Sequence, residues 1–188
     1  MTSYLLAGPA IEPVTLGEAK AYCRIDGDAE DGLVGTLIAA ARLHVEGHTG
    51  RALIAQTWRL VLDRWPAGGW VPLPVAPAAS LVAVTATDAD WTPHELELEQ
   101  FALDGPAGRL LLPQSVAGMP VLRRQQGIAI DYVAGYGEAA EDVPADLRQA
   151  VLVLVAYWFE NRDAALDSGA GTPAAFARLL ATYRRVRM

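Results

Sequence analysis

Residues 144–160 read PADLRQAVLVLVAYWFE, and the run from Ala150 to Phe159 is apolar apart from the phenol and indole of Tyr157 and Trp158. Pro144 suits a first helical position, because its missing amide would have no intrahelical partner there and its φ is already near the helical value. Leu147, Val151, Leu154, Val155 and Trp158 then recur at the 3.6-residue period. Val153, Ala156 and Tyr157 fill the other faces, which predicts a helix buried nearly all round, the core helix of the fold. The apolar run is about half of the roughly 20 residues a bilayer span needs. The first residues, MTSYLLAGPAIEP, hold neither a basic stretch nor a long apolar one. Together these features predict a soluble, unexported protein with no membrane partner.

Toward the C-terminus, Glu160-Asn161-Arg162-Asp163 ends the apolar run, Asp167 to Gly171 predicts a loop, and Thr172-Pro173 caps a last helix carrying Phe176, Leu179, Leu180 and Tyr183. The chain then closes on AFARLLATYRRVRM, residues 175–188. Four arginines (178, 184, 185 and 187) and no acid follow residue 167, which leaves −11 for the rest of a chain whose net charge is −7. A segment opposite in sign to its own body is a candidate docking element.

Toward the N-terminus the helical period gives way to β and then returns. Ser80 to Thr87, Leu96 to Leu103, Arg109 to Leu112 and Ile128 to Val133 read as strands separated by Gly, Pro and Asp clusters. From Ile54, Trp58, Leu60 and Leu62 point one way and Thr57, Arg59 and Asp63 the other, a half-buried strand. Connections this short favour antiparallel pairing. Pro72, Pro74 and Pro77 confine Val71 to Ala78 to an edge or an ordered loop. Before the strands, Thr15 and Glu18 form a capping box for a short helix to about Cys23. Asp28 is read as the cap of a longer helix with Leu33, Leu37, Ile38, Ala41 and Val45 on one stripe, ending near Gly47 or Gly50. The expected fold is α+β. A helical core from residues 1–55 and 138–188 holds an antiparallel β insertion at 56–135, one structural unit overall.

A chain of 188 residues that is 52% hydrophobic can bury a sizeable core. Its single cysteine, Cys23, permits no internal disulfide and fits a reducing cytoplasm. A pI near 4.9 argues against broad wrapping of a DNA backbone, which needs a basic face.

Sites for chemistry are scarce. His44 and His48 stand four apart near a helix end, the spacing with which two imidazoles grip one zinc ion, but the sequence is HVEGH, a third ligand is missing, and His94 is the remaining histidine. Helix-end or packing roles suit them better. Asp26 to Glu30 begins like a calcium loop, yet Asp31 replaces the glycine and Leu37 the closing glutamate. Glu95, Glu97 and Glu99 alternate along an expected strand and read as a solvated face. No serine has a nucleophile-elbow setting, and Gly135-Tyr136-Gly137 lacks the lysine of a phosphate loop. Neither catalysis nor a cofactor or metal is expected. Two features ask instead for a protein partner. Trp65 and Trp70 lie in the proline-stiffened stretch WPAGGWVPLP and, with Arg178, are candidate subunit-interface residues. Tyr183, Arg184, Arg185, Val186, Arg187 and Met188 mix forked cation donors with apolar groups, suited to an acidic groove on a neighbour.

The segments EPVTLGEAKAYCRIDGDAEDGLVGTLIAAARLHVEGHTGRALIAQTW (12–58), IAIDYVAGYG (128–137), VPADLRQAVLVLVAYWFENRDA (143–164) and LLATYRRVRM (179–188) resemble the head-tail connector proteins of long-tailed bacteriophages and phage-like gene transfer agents, also called adaptor or head-completion proteins. The likeness is weakest between Pro66 and Arg124. It implies a homo-oligomeric ring, typically twelvefold, between the portal protein and a stopper or tail-completion protein. It implies a channel through which DNA passes without sequence-specific binding. It also implies residence in the neck of a virion or gene transfer agent particle after synthesis in the bacterial cytoplasm, and no catalysis. The basic tail, residues 183–188, would then lodge in the portal or an adjoining subunit. Two rivals come from other classes: a small metal-dependent hydrolase built on His44, His48 and a strand carboxylate, and a DNA-binding accessory protein that uses the arginine tail.

Overall fold

The computed structural model describes residues 1–161 and 173–183. The chain divides into a β unit, Met1–Pro9 with Ala55–Tyr136, and a helical unit, Ala10–Ile54 with Gly137–Met188. The architecture is α+β, as expected, and every pairing of named strands is antiparallel among the described residues.

In the β unit, strands β1 (Thr2–Ala7), β2 (Gln56–Leu62), β4 (Ala78–Thr87), β5 (Pro93–Glu95) and β8 (Ile128–Ala134) form one sheet in the order β1-β2-β8-β4-β5. Strands β3 (Trp70–Pro72), β6 (Ala102–Asp104) and β7 (Arg109–Leu111) form a second, ordered β3-β7-β6. β8 is central because it is the most apolar strand. Ile128, Ile130 and Tyr132 are fully buried, and Ile130 lies opposite Leu60 of β2 on one side and Val84 of β4 on the other. The proline-rich stretch is an edge, as its missing amides require: Pro72 ends the edge strand β3, and the Val75 amide beyond it donates to the buried Tyr132 hydroxyl at 3.2 Å.

Two segments of this unit differ from the sequence expectation. Thr2–Ala7, which periodicity left unassigned, pairs with β2 through Thr2↔Val61 to Leu5↔Trp58, with an irregularity before Ala7. Leu96 to Leu103 is not one strand. The Leu96 amide extends the β4–β5 hairpin by donating to Val84, residues Leu98–Gln100 turn in a 3₁₀ helix, and β6 starts afterwards. Packing explains the break, because Leu96 and Phe101 are both buried although an odd spacing would put them on opposite faces of a continuous strand. Glu95, Glu97 and Glu99 consequently share no strand face, and all three are exposed.

In the helical unit, α1 (Leu16–Cys23) starts at the expected capping box. The Glu18 amide donates to Thr15 Oγ1 at 3.1 Å, and the Thr15 amide donates to the Glu18 carboxylate at 2.8 Å. Helix α2 (Asp31–Thr49) ends at Gly50, whose φ of 66° is the left-handed conformation glycine adopts freely. Asp28 does not cap it: Lys20 Nζ binds the carboxylates of Asp28 (3.0 Å) and Asp31 (2.5 Å), tying the end of α1 to the start of α2. The buried stripe of α2 is Val34, Ile38, Ala41 and Val45: Ile38, Ala41 and Val45 are buried as expected, while nearer the start of the helix Val34 is buried and Leu33 and Leu37 are only half-buried. Helix α3 (Ala145–Glu160) buries Leu147, Ala150, Val151, Leu154 and Val155 and keeps Leu152, Val153 and the residues from Ala156 to Phe159 half-buried, as a helix packed on most sides should. Arg148 of α3 donates to the Pro13 carbonyl at 3.0 Å and to the Glu18 carboxylate, fastening α1 to α3. Helix α4 (Ala174–Leu179) follows Pro173, and a 3₁₀ turn covers Ala181–Tyr183. The predicted Asp167–Gly171 loop, and Thr172 as a cap, lie outside the described residues.

Candidate functional site

The apolar side chains of α4 fix the origin of the basic C-terminus. Phe176 and Leu180 are fully buried. His44 and His48, one turn apart on α2, each bring a ring to Phe176, with centroids at 5.4 and 5.7 Å, and the Trp158 indole meets the His44 ring edge-on at 5.8 Å. The two histidines thus serve as an aromatic wall for the last helix. Among the described residues no third His, Cys, Asp or Glu joins them in a metal-holding group. Burial, and then the charge of neighbouring His48, lower the pKa of His44 and favour its neutral ring.

Tyr183, expected at the root of the docking tail, is held by the chain itself. Its hydroxyl donates to Asp146 Oδ1 at 2.8 Å, and the Arg51 guanidinium lies 5.3 Å from its ring centroid. Arg178 is exposed on α4. Arg184, Arg185, Val186, Arg187 and Met188 lie outside the described residues.

The two loop tryptophans part company. Trp65 is half-buried: its indole donates to Met119 Sδ at 3.4 Å and its ring lies 5.9 Å from that of Phe101. Trp70 on β3 is 42% exposed, opposite the partly exposed Leu111 of β7, with the Arg109 guanidinium 5.9 Å from its ring. Arg109 in turn binds Asp104 at 2.9 Å, and that hydrogen bond is the largest cause holding the Asp104 carboxyl below its ordinary value. Of the pair, Trp70 has the free surface.

The outward face of the five-stranded sheet carries a polar groove of about 590 Å³ between Tyr4, Arg59, Thr85, Thr87, Glu95 and Gln126. Beside it Arg59 and Asp131, opposite in register on β2 and β8, form a two-pronged ion pair with both N–O distances 2.6 Å. The hydrogen bond to Asp131 is the main cause that raises the Arg59 pKa. An ion pair closed on both oxygens orders a sheet face. Cys23 is half-buried, and burial, with the nearby Glu160 charge, pushes its thiol upward and away from the nucleophilic thiolate.

Sequence reasoning missed the most exposed aromatic residue, Trp91, at 74%. Its signal was the Asp88-Ala89-Asp90 turn before it, which is set to present a side chain rather than bury one.

Among described residues no helix is long and apolar enough to cross a membrane. No curated protein matches the sequence. Three solved structures that are similar over 100% of this chain and 97% of theirs come from gene transfer agent particles. They are the neck of an empty gene transfer agent particle computed with C6 symmetry (27% identity, TM-score 0.83), the virion of a native gene transfer agent particle (27%, 0.80), and the neck of a native particle computed with C12 symmetry (29%, 0.75). The sequence model of the head completion proteins matches residues 12–179, from the segment before the α1 capping box to the end of α4, and the chain belongs to that family.

Proposed function

We propose that this chain is a structural subunit of the head–tail neck of a tailed phage or gene transfer agent particle, made in the bacterial cytoplasm. Copies form a ring between the portal and a stopper or tail-completion protein and leave a channel for DNA. The observation that carries the reading is the whole-length similarity to gene transfer agent necks, two of them computed with sixfold and twelvefold symmetry. A ring subunit offers unlike surfaces to its two neighbours, and exposed aromatic residues such as Trp70 suit that role. The acidic body suits a channel wall, because a surface without a basic face gives phosphate no hold on passing DNA.

The basic end supplies the grip on the portal or an adjoining subunit. Tyr183, bonded to Asp146, fixes the point from which Arg184, Arg185, Val186, Arg187 and Met188 reach an acidic groove on that neighbour. Removing residues 184–188 tests this. The shortened protein is expected to keep its circular dichroism and unfolding midpoint while filled heads no longer join to tails. An unaltered yield of joined particles would exclude the tail as the attachment.

A further inference from the structure

We propose that the Trp91 turn and the adjoining Leu122–Gln126 segment form a docking site for an acidic protein segment in which carboxylates stand beside apolar side chains. The turn joining β4 to β5 is locked by Asp88. Its Oδ1 accepts the amides of Asp90 (2.9 Å) and Thr92 (3.0 Å), and its Oδ2 lies 2.8 Å from His94 Nε2. In that frame Trp91 has a φ of 66° and remains 74% exposed. A left-handed backbone under a bulky side chain is strained. An exposed indole recovers none of this through burial within the chain.

The ring is also held from below. The Arg123 guanidinium sits 4.4 Å from its centroid while Nε and Nη2 donate to the Gln126 carbonyl at 3.0 and 2.7 Å. Gln126 is left-handed as well (φ 53°), and its amide donates to Asp63 Oδ1 at 2.7 Å. The Arg123 amide donates to the Thr87 carbonyl at 3.1 Å, which stitches this segment to the end of β4. An aromatic ring fixed in one orientation loses little entropy when a partner covers it, and tryptophan and arginine are among the residue types enriched at binding hot spots.

Charge selects the occupant. Trp91 and Arg123 border a groove of about 680 Å³ with Leu122, Arg124, Gln125 and Gln126, and among the described residues no carboxylate lines it, although the chain as a whole is net −7. Arg124 is exposed, and Val121 just before the groove is 84% exposed. A carboxylate on Arg124 and an apolar side chain against Trp91, Leu122 and Val121 satisfy both characters of the site. A DNA backbone fits less well, because Arg123 is committed to Gln126 and Trp91 and one remaining arginine does not track a phosphate ladder.

The test uses the full chain and fluorescein-labelled peptides, one alternating glutamate and leucine and one with glutamine in place of glutamate, with a short DNA duplex alongside. Saturable binding of the acidic peptide is expected. It should weaken by about tenfold or more for the glutamine peptide and for Trp91→Gly or Arg124→Glu. Trp91→Gly removes the ring while relieving the left-handed backbone, so its unfolding midpoint should not fall, which separates lost binding from lost folding. Absence of saturable peptide binding, equal binding by the variants, self-association that the variants abolish, or tighter duplex binding lost in the same variants would each overturn the assignment. Because the readout is made on the isolated chain, its failure leaves the neck reading standing.

Discussion

His44 shows how packing sets the behaviour of one side chain. Burial against Phe176 and Trp158, and then the nearby charge of His48, hold its pKa below the usual 6.5. The unfolded chain therefore binds more protons at this position than the folded chain in the interval just below 6.5, so stability is present above that value and is lost as pH falls through it. The carboxylates with lowered values, Glu18, Asp88 and Asp104, titrate in a more acid range and leave this window to histidine. Urea midpoints measured near pH 7.5 and near pH 5.5 should differ in the wild type and differ less in His44→Gln. An equal fall in the variant would refute the assignment to His44. The spacing of His44 and His48 and a packing role for them were legible in the sequence, but the partner was not, because Phe176 lies far along the chain and only the fold brings it to them.

At the scale of elements, α2 carries glycine where a helix would prefer alanine. Gly35 lies well inside the helix, and a methyl group built there meets nothing within 4 Å. Gly35→Ala should raise the stability of the isolated chain by about 1 kcal/mol, seen as a higher urea midpoint, through the backbone freedom the unfolded chain loses. A lowered midpoint would mean the site is not open. Local signals were sufficient where side chain and backbone meet within a few residues: the Thr15–Glu18 box, the helix stop at Gly50, one of the two glycines the sequence offers, and the strands β2 and β8 all appear where the sequence predicts them. They were insufficient for the start of α2, where Val34 rather than Leu33 and Leu37 is buried, because that depends on which helices its stripe meets. They were also insufficient for Leu96 to Phe101, where two buried residues at odd spacing required a 3₁₀ turn.

For the molecule as a whole, the sign of the charge governs encounters with DNA. With a net charge of −7 and a basic end of few arginines, the full chain should show no saturable binding to a DNA duplex at about 0.15 M salt. Any binding at lower salt should have a shallow slope, since each neutralised phosphate contributes about −0.9. A steep slope would favour a DNA-binding accessory protein over a neck subunit.

The sequence by itself determined the α+β class, the antiparallel pairing, the core helix α3, the capping box, and the acidic body with its basic end, because each rests on periodicity, capping chemistry or charge that neighbouring residues carry together. Tertiary structure alone decided that Thr2–Ala7 becomes a strand, that Tyr183 binds Asp146, that the histidines flank Phe176, and that Trp91 stands out over Arg123. Each of these joins residues distant in the chain, and such pairings depend on which surfaces the folded backbone brings within a few ångströms, a quantity no local window of sequence contains.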